Sequence, residues 1–250
     1  MSEIALQKIH VVGGGTIEPI REHLALSARA YGATARKIAD MTTAEIPSME
    51  TELHLTRMAD ASSSIETSDD LAALAARIVG DAATKIVFWT PAVCDFRGSV
   101  GGVAGSLHGE RLSSRDDDLH VDLCPSPKIV ALLKKIGVNG TEPRKDIMAV
   151  ACKTTTDRTP GEQYDLAARL MEENDLDVVL ANDTITRLNM VLTVGGAMHH
   201  KTTDREEVVR ALVELAADAA DVTIKKDAGP DTYPEPMHYI RPEQYLGDWE

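Results

Sequence analysis

Short runs rich in β-branched residues alternate with longer Ala- and Leu-rich stretches along most of this chain, and this alternation limits the possible folds more than any other feature. The short runs are typical of buried strands, whereas the longer stretches carry polar residues at helical spacing. Such an alternation predicts an α/β fold in which helices cover both faces of a parallel sheet. Strands are predicted at residues 8–12, 53–57, 85–90, 147–152, 177–180 and 190–194, and helices at 20–31, 68–80, 126–136, 161–174 and 204–219.

Two segments depart from the alternation. Residues 98–120 contain several glycines and a run of three aspartates, which predicts an inserted loop or hairpin arm. Residues 223–250 hold four prolines and no periodicity, which predicts an extended tail. A chain of 250 residues fits one α/β domain, so we expect a single domain over residues 1–222.

The composition excludes several classes of protein. There are 26 Lys and Arg against 40 Asp and Glu, and the resulting charge of −14 disfavours binding to nucleic acid. Three widely spaced cysteines predict neither a disulfide framework nor a metal site. The N-terminus lacks a basic and apolar leader, and no stretch approaches about 18 apolar residues. We therefore expect a cytoplasmic protein that binds neither nucleic acid nor a membrane.

A glycine-rich turn follows the first predicted strand. Gly13, Gly14, Gly15 and Thr16 separate that strand from a helix predicted to begin near Pro19. Glycine permits a tight turn and close approach of a ligand, and the N–H groups at a helix start favour a phosphate. The spacing matches neither the dinucleotide-binding fingerprint nor a Walker A loop. The turn is either a phosphate-binding loop or an ordinary corner between strand and helix.

Polar residues also follow two later strands. Asp95 and Arg97 come shortly after the strand at 85–90, and Asn182 and Asp183 close the apolar strand near 180. Ligands of open α/β sheets bind outside the carboxyl ends of the strands, so these residues are candidates for meeting a ribose or a phosphate. The alternatives are a surface ion pair between Asp95 and Arg97 and an ordinary turn at Asn182. The pair of histidines at 199–200 is predicted to lie in a solvated loop.

Five segments, taken in order, resemble the DNA/pantothenate metabolism flavoprotein family in its phosphopantothenoylcysteine synthetase (CoaB) domain. They are VGGGTIEPI at residues 12–20, PAVCDFR at 91–97, SPKI at 126–129, VACKTTT at 150–156 and LDVVLAND at 176–183. The resemblance extends over about residues 8–220. It implies a Rossmann-like fold.

The same resemblance implies an activity and a set of site residues. The family uses CTP and Mg²⁺ to activate the carboxylate of 4′-phosphopantothenate as an acyl-cytidylate, which cysteine then converts to an amide. A small-molecule carboxylate, a nucleotide and a second copy of the chain are thus the implied partners. FMN is another candidate cofactor, although no residue pattern supports it. By position, the nucleotide-binding residues are Gly13, Gly14, Gly15, Thr16, Thr90, Pro91, Ala92, Asp95, Ser126, Pro127, Lys128, Ile129, Cys152 and Asp183, and the catalytic residues are Arg111 and Asn182.

Several positions depart from the family pattern. The asparagine that holds the acyl intermediate becomes Ala25, and the lysine of the family's KIKK segment becomes Arg111. A family phenylalanine becomes Cys152, and lysines before the LDLIVAND-like segment become Leu170 and Asn174. Binding of a triphosphate then requires replacement cations, for which the candidates are Lys153, Arg187 and Lys201.

Three functions remain open on the sequence alone. The first is an acyl-activating ligase of this family, with the same or another acid. The second is a protein on the same scaffold that binds a nucleotide or flavin without ligation. The third, a nicotinamide-dependent oxidoreductase, is disfavoured because neither a GxGxxG fingerprint nor a Tyr-x-x-x-Lys pair is present.

Overall fold

Five parallel strands form the centre of the protein. The structure is a computed structural model that describes residues 6–113, 118–135 and 143–227. Within those residues the main sheet has seven strands: β1 (Lys8–Gly13), β4 (Glu50–Leu55), β5 (Thr84–Trp89), β9 (Met148–Thr155), β10 (Val178–Asp183), β11 (Asn189–Thr193) and β12 (Ala197–Thr202). Their order in the sheet is β12-β11-β10-β9-β5-β1-β4, and β11 is antiparallel to both of its neighbours, β10 and β12.

Helices cover both faces of this sheet, as the sequence predicted. On one face, α1 (Ala33–Glu45) and α5 (Arg205–Asp227) enclose a core that includes Ile9, Val11 and Phe88. On the other face, α2 (Ser68–Gly80), α3 (Leu132–Lys135) and α4 (Pro160–Asn174) enclose a second core that includes Val12 and Trp89. Because both faces of the central strands are buried, β5, β9 and β10 contain runs of consecutive buried residues. The α/β class with a parallel sheet is confirmed.

The helix predicted at residues 20–31 is wrong. Its place is taken by a hairpin of β2 (Ile17–Arg21) and β3 (Leu24–Ser27), and the helix that follows is α1. The extended conformation is fixed by distant backbone partners, since Ile17 N–H donates to Glu66 O at 3.0 Å and Ser106 N–H to Ile20 O at 3.3 Å. Local periodicity carries no information about such partners.

The insertion is a small antiparallel sheet, which confirms the predicted arm. Its strands are β6 (Phe96–Val100), β7 (Val103–Ala104) and β8 (Asp122–Pro125), in the order β7-β6-β8. The arm packs closely on the hairpin, because a Cβ at Gly105 would lie 2.2 Å from Pro19 O. Residues 114–117 of the insertion lie outside the described residues.

Other boundaries differ from prediction. The strand expected at 53–57 is β4, three residues earlier, and the helix expected at 126–136 is a 3₁₀ turn (Ile129–Ala131) followed by α3. Residues 199–200 lie in strand β12 and not in a loop. Helix α5 runs to Asp227, so the start of the predicted tail is helical, and residues 228–250 lie outside the described part of the chain. Within the described residues, no helix combines the length and apolar character that crossing a membrane requires.

Candidate functional site

The glycine-rich turn after β1 is shaped by close packing. Gly14 has φ +105, a conformation that L side chains rarely adopt, and a Cβ at Gly13 would lie 2.3 Å from Ala35 Cβ. The turn does not lead directly into a helix, so the predicted helix start near Pro19 is wrong. After the hairpin, however, the chain returns through Gly32 (φ +73), where a Cβ would lie 4.0 Å from Gly14 N. The start of α1 therefore borders the glycine-rich turn after all.

The start of α1 has no side-chain cap. Its N-cap residue, Gly32, provides no side-chain hydrogen bond to the first turn. The first N–H groups of a helix have no partner within the helix and carry the positive end of its dipole. A phosphate bound there would accept hydrogen bonds from those N–H groups.

Backbone hydrogen bonds join the loops after β1 and β5. Thr16 N–H donates to Ala92 O at 3.0 Å, and Ala92 N–H donates to Gly14 O at 2.9 Å. Thr16 is buried, and its Oγ1 accepts a hydrogen bond from Cys94 N–H at 2.9 Å. Thr90 Oγ1 donates to Val12 O at 2.8 Å, next to the half-buried Pro91. Thr16, Thr90, Pro91 and Ala92 thus lie next to one another at the carboxyl edge of the sheet, where the parallel strands β1 and β5 end. Their hydrogen bonds fix the shape of the two loops there.

Asp95 and the segment at 126–129 meet, as their shared assignment to a nucleotide requires. Ser126 N–H donates to Asp95 O at 2.8 Å, and Lys128 Nζ forms an ion pair with the Asp95 carboxylate. Ser126 Oγ is buried and has no hydrogen-bond partner within the described residues, whereas Pro127 is exposed and Ile129 is buried. A free buried hydroxyl beside an exposed ion pair offers polar contacts to a ligand.

The alternative ion pair of Asp95 with Arg97 does not form. Arg97 forms ion pairs with Asp69 and, at 3.7 Å, with the buried Glu18. Glu18 in turn accepts a hydrogen bond from Ser68 N–H at 2.7 Å, at the first turn of α2. Arg97 therefore belongs to the packing of the hairpin against α2.

Asn182 and Asp183 lie at the adjacent ends of β9 and β10. Asn182 Oδ1 accepts a hydrogen bond from Thr154 Oγ1 at 3.1 Å, and its amide nitrogen has no partner in the described part of the chain. The buried Asp183 carboxylate accepts five hydrogen bonds, from Thr155 Oγ1 (2.8 Å) and the N–H groups of Asp157 (3.2 Å), Arg158 (3.1 Å), Ile185 (2.9 Å) and Thr186 (2.9 Å). Asn182 thus retains a donor for a ligand, while Asp183 fixes two loops.

The charge state of Asp183 follows from these contacts. Burial alone would raise the pKa of its carboxyl group, but the backbone N–H donors and Thr155 outweigh burial and hold the pKa well below its usual range. Asp183 is therefore ionised at neutral pH. Its negative charge is already compensated by donors from the protein.

Cys152 lies in β9, against the core beneath α1 and α5. Burial raises the pKa of its thiol to about 11, although the nearby Arg205 partly opposes the increase. The thiol is therefore protonated at neutral pH and is a poor nucleophile. Cys152 lies three residues before the end of β9, so its assignment to the nucleotide stays a prediction.

Arg205 is a cation at this edge that the sequence analysis missed. It begins α5, and its guanidinium donates to Asn189 Oδ1 and to Thr34 Oγ1, both at 2.8 Å. Asn189 pairs with Asn182 across β10 and β11, and Thr34 lies in the first turn of α1. Arg205 therefore connects the Asn182 end of the edge to the start of α1. Its position in the sequence, at a helix start, gave no sign of this.

Arg111 lies exposed in the insertion. A cavity of about 330 Å³ lies between the hairpin, the start of α2 and the insertion, with Glu18, Arg97 and Cys124 in its lining. A larger cavity of about 450 Å³ lies at the opposite, amino edge of the sheet, near Leu176 and Gly196. Neither of these two cavities includes Asp95 or Asn182 in its lining.

Comparisons with known proteins support the fold. No model of a known protein family matches the sequence, and no curated protein matches it either. Among solved structures, the DNA/pantothenate metabolism flavoprotein from Streptococcus pneumoniae matches with a TM-score of 0.68 and 20% identity, over 86% of this chain and 99% of that one.

Two further solved structures have a similar fold. The C-terminal domain of the coenzyme A biosynthesis bifunctional protein CoaBC has a TM-score of 0.58 at 15% identity, over 90% of this chain and 100% of that one. A Cab2 mutant in complex with phosphopantothenate-cysteine has a TM-score of 0.58 at 11% identity, over 88% of this chain and 89% of that one. The chain thus has the fold of the proteins that its five segments resemble.

Proposed function

We propose that this protein is a nucleotide-dependent ligase that activates a carboxylate as an acyl-nucleotide and transfers the acyl group to an amine. The observation that carries the proposal is the meeting of Asp95 with residues 126–129 at the carboxyl edge of a CoaB-like sheet. These segments are far apart in sequence, and the resemblance assigns both to the nucleotide. One solved structure with this fold holds phosphopantothenate-cysteine, an amide of the proposed kind.

The proposed reaction has two steps. The substrate carboxylate attacks the α-phosphorus of CTP and displaces pyrophosphate, which gives an acyl-cytidylate. The amine of cysteine then attacks the acyl carbon and displaces CMP. Activation is needed because an oxide is a poor leaving group from a carboxylate, and stabilisation of the phosphate charge is the main task of the protein.

The described residues supply parts of such a site. Asp95 would accept a hydrogen bond from the ribose, and Ser126 Oγ is a free polar group beside it. The open first turn of α1 and the guanidinium of Arg205 would stabilise the phosphates. The free amide nitrogen of Asn182 would donate to the acyl group. Arg111, which replaces the lysine of the family's KIKK segment, would contribute its positive charge from the insertion.

The carboxylates of this edge do not form a ready site for Mg²⁺. All five donors of Asp183 come from the protein, and Asp95 is already paired with Lys128. We therefore assign no magnesium ligand to Asp95 or Asp183. Magnesium in nucleotide sites is often held mainly by the phosphates and water, with few protein ligands.

A second function is favoured by the loss of the family asparagine. Ala25, its counterpart, lies exposed in β3 and pairs with Pro19 across the hairpin, so no amide side chain is present at that position. A protein that binds a nucleotide or a flavin on this scaffold without ligation would not need that amide. The two functions differ in whether pyrophosphate is released.

Thermal unfolding in the presence of CTP, ATP, FMN and NADH, each with and without Mg²⁺, tests binding first. We expect CTP with Mg²⁺ to raise the melting temperature, because a ligand at 100 times its Kd stabilises by about 2.7 kcal/mol. Pyrophosphate release is then measured with CTP, 4′-phosphopantothenate and cysteine. Release that depends on the acid supports the ligase. Binding without release, in both the native chain and Ala25→Asn, supports the second function, and no shift with any nucleotide would contradict both.

A further inference from the structure

Three potential metal ligands meet on the outer part of the sheet. His10 lies in β1, and Glu52 and His54 lie in the edge strand β4. In the parallel register His10 pairs with Glu52 and Val12 pairs with His54. Alternate residues of a strand share a face, so all three side chains lie on the face that α2 covers. They form the one group of three histidine, cysteine or acidic side chains within the described residues that could hold a metal ion.

The three ligand atoms have the spacing of a tetrahedral site. His10 Nδ1 lies 3.0 Å from His54 Nε2, and Glu52 Oε2 lies 3.6 Å from each of these nitrogens. Atoms at these separations lie on a circle of radius about 2.0 Å, which is the radius expected for three ligands of a tetrahedral ion with bonds of about 2.1 Å. A zinc ion would therefore bind all three with small movements of the side chains.

The contacts around the three side chains also suit a metal. His10 Nδ1 and His54 Nε2 form a hydrogen bond in the ion-free protein, so one of these nitrogens carries a proton that metal binding would displace. Lys8 Nζ binds Glu52 Oε1 at 2.8 Å and leaves Oε2 towards the histidines. Such a contact to a ligating carboxylate fixes its orientation. Lys8 is itself partly neutralised by Asp81 at 3.4 Å.

The geometry points to a binding site for one divalent transition-metal ion, of the zinc class, formed by His10, Glu52 and His54. The site is separate from the proposed nucleotide site, and its ligands come from two neighbouring strands. Glu52 and His54 are 32% and 18% exposed, so water would occupy the fourth position. The ion would link the edge strand β4 to its neighbour β1 through ligands from both strands. Nitrogen and carboxylate ligands select zinc, cobalt or nickel over magnesium and calcium.

The test is titration of tag-free, full-length protein with Zn²⁺ by calorimetry, in the presence of a competing chelator. We expect one ion per chain and a higher melting temperature with Zn²⁺. Glu52→Gln and His54→Asn each remove a partly exposed ligand and leave the buried His10 in place. Each should weaken binding at least tenfold, because one of three ligands is lost. His200→Asn is the matched control, since His200 pairs with one glutamate, Glu207, at 3.2 Å.

Three results would overturn the proposal. They are absence of zinc binding by the native chain, unchanged affinity and stoichiometry in both ligand variants, and an equal loss in His200→Asn. Cobalt provides a second readout that does not depend on variant stability. Co²⁺ bound to the native chain should give the intense visible absorption of four-coordinate cobalt, and the weak absorption of a six-coordinate ion would contradict the assigned geometry.

Discussion

Asp95 is a single carboxylate with two measurable roles. It forms an exposed ion pair with Lys128, and in the proposed function it accepts a hydrogen bond from the ribose of the nucleotide. For Asp95→Asn we expect the binding free energy of CTP to become less favourable by about 1.5 to 3 kcal/mol, the range for a hydrogen bond to a charged group. The free energy of unfolding without ligand should change by at most about 1 kcal/mol, because exposed pairs contribute little. Calorimetry and urea unfolding measure the two quantities.

Asp69→Asn is the control for this change. Asp69 is also an exposed aspartate in an ion pair, with Arg97, but it lies at the start of α2. Its replacement should leave CTP affinity unchanged. Equal CTP affinity for the native chain and Asp95→Asn would remove Asp95 from the nucleotide site.

Arg205 provides a test of where the phosphates bind. Its guanidinium reaches Thr34 in the first turn of α1, so Arg205→Gln removes a charge at that place. We expect the binding free energy of CTP to become less favourable by about 1.5 to 3 kcal/mol. The binding free energy of cytidine, which has no phosphate, should remain unchanged. Arg210→Gln, on the same helix with exposed pairs to Glu45 and Glu206, is the control. A parallel loss for CTP and cytidine would show that Arg205 supports the fold and not the phosphates.

The junction between α2 and β5 depends on Arg144. Its buried guanidinium donates to Val79 O at 2.9 Å, to Asp81 O at 2.9 Å and to Thr84 O at 2.8 Å, and it also binds the Asp146 carboxylate. The hydrogen bond from Arg144, opposed by partial burial, lowers the pKa of Asp146 to about 2 from an ordinary 3.8. The folded state therefore favours the ionised form of Asp146.

This shift predicts how the stability of the junction depends on pH. Because the folded pKa is depressed, the contribution of Asp146 is complete above about pH 4 and is lost as the pH falls through about 2. The side chain is 51% exposed, so screening limits the contribution to about 1 kcal/mol. Asp146→Asn should lower the free energy of unfolding by that amount at pH 7 and by almost nothing near pH 2. Asp165→Asn, an exposed change on α4, is the control and should leave the free energy of unfolding at pH 7 nearly unchanged. A difference for Asp146→Asn that is constant from pH 7 to 2 would contradict this prediction.

Some elements could be predicted from local sequence because their signals are local. Helix α2 begins as predicted, since Thr67 and Asp70 form a capping box within four residues. Helix α4 begins with a similar box at Thr159 and Glu162. Helix α1 was missed because its buried face is made of Ala35, Ile38, Ala39 and Thr42, which give a weak apolar period.

Elements with distant partners were harder to predict. The hairpin β2-β3 is stabilised by residues 66 and 106, and strand β12 is an edge strand whose residues alternate only between exposed and half-buried. Neither pattern distinguishes a strand from a loop or a helix. The fold class was nevertheless clear, because the central strands are apolar on both faces.

The order of strands in the whole sheet decides which distant residues meet. Strand ends such as Asn182 and Asp95 can be placed at one edge from the sequence, because parallel strands end on the same side. The sequence does not show that Arg205 reaches Thr34, which lies 171 positions away. It also does not show that β1 and β4 are neighbours, which brings His10 to Glu52 and His54. Each of these contacts requires the three-dimensional arrangement.

The insertion predicts how the protein assembles. Phe96, Val103, Leu107, Leu119 and Leu123 are large apolar side chains between 45% and 61% exposed, and all lie in or beside this arm. Several exposed apolar side chains in one segment are typical of a protein interface. We therefore predict a homodimer in which the arms of two chains pack together, as the family resemblance also implies. Light scattering should give a mass of about twice 27.0 kDa at micromolar concentration.

A charge placed in the arm tests this prediction. Leu123 is 52% exposed in β8, so Leu123→Asp should leave the fold of one chain intact and place an unpaired charge in the interface. We expect the variant to have a mass near 27.0 kDa with an unchanged circular dichroism spectrum. Ile185→Asp is the control, since Ile185 is 62% exposed in the turn between β10 and β11. A native mass near 27.0 kDa would refute the dimer, and a dimer that survives Leu123→Asp but dissociates with Ile185→Asp would move the interface to the carboxyl edge of the sheet.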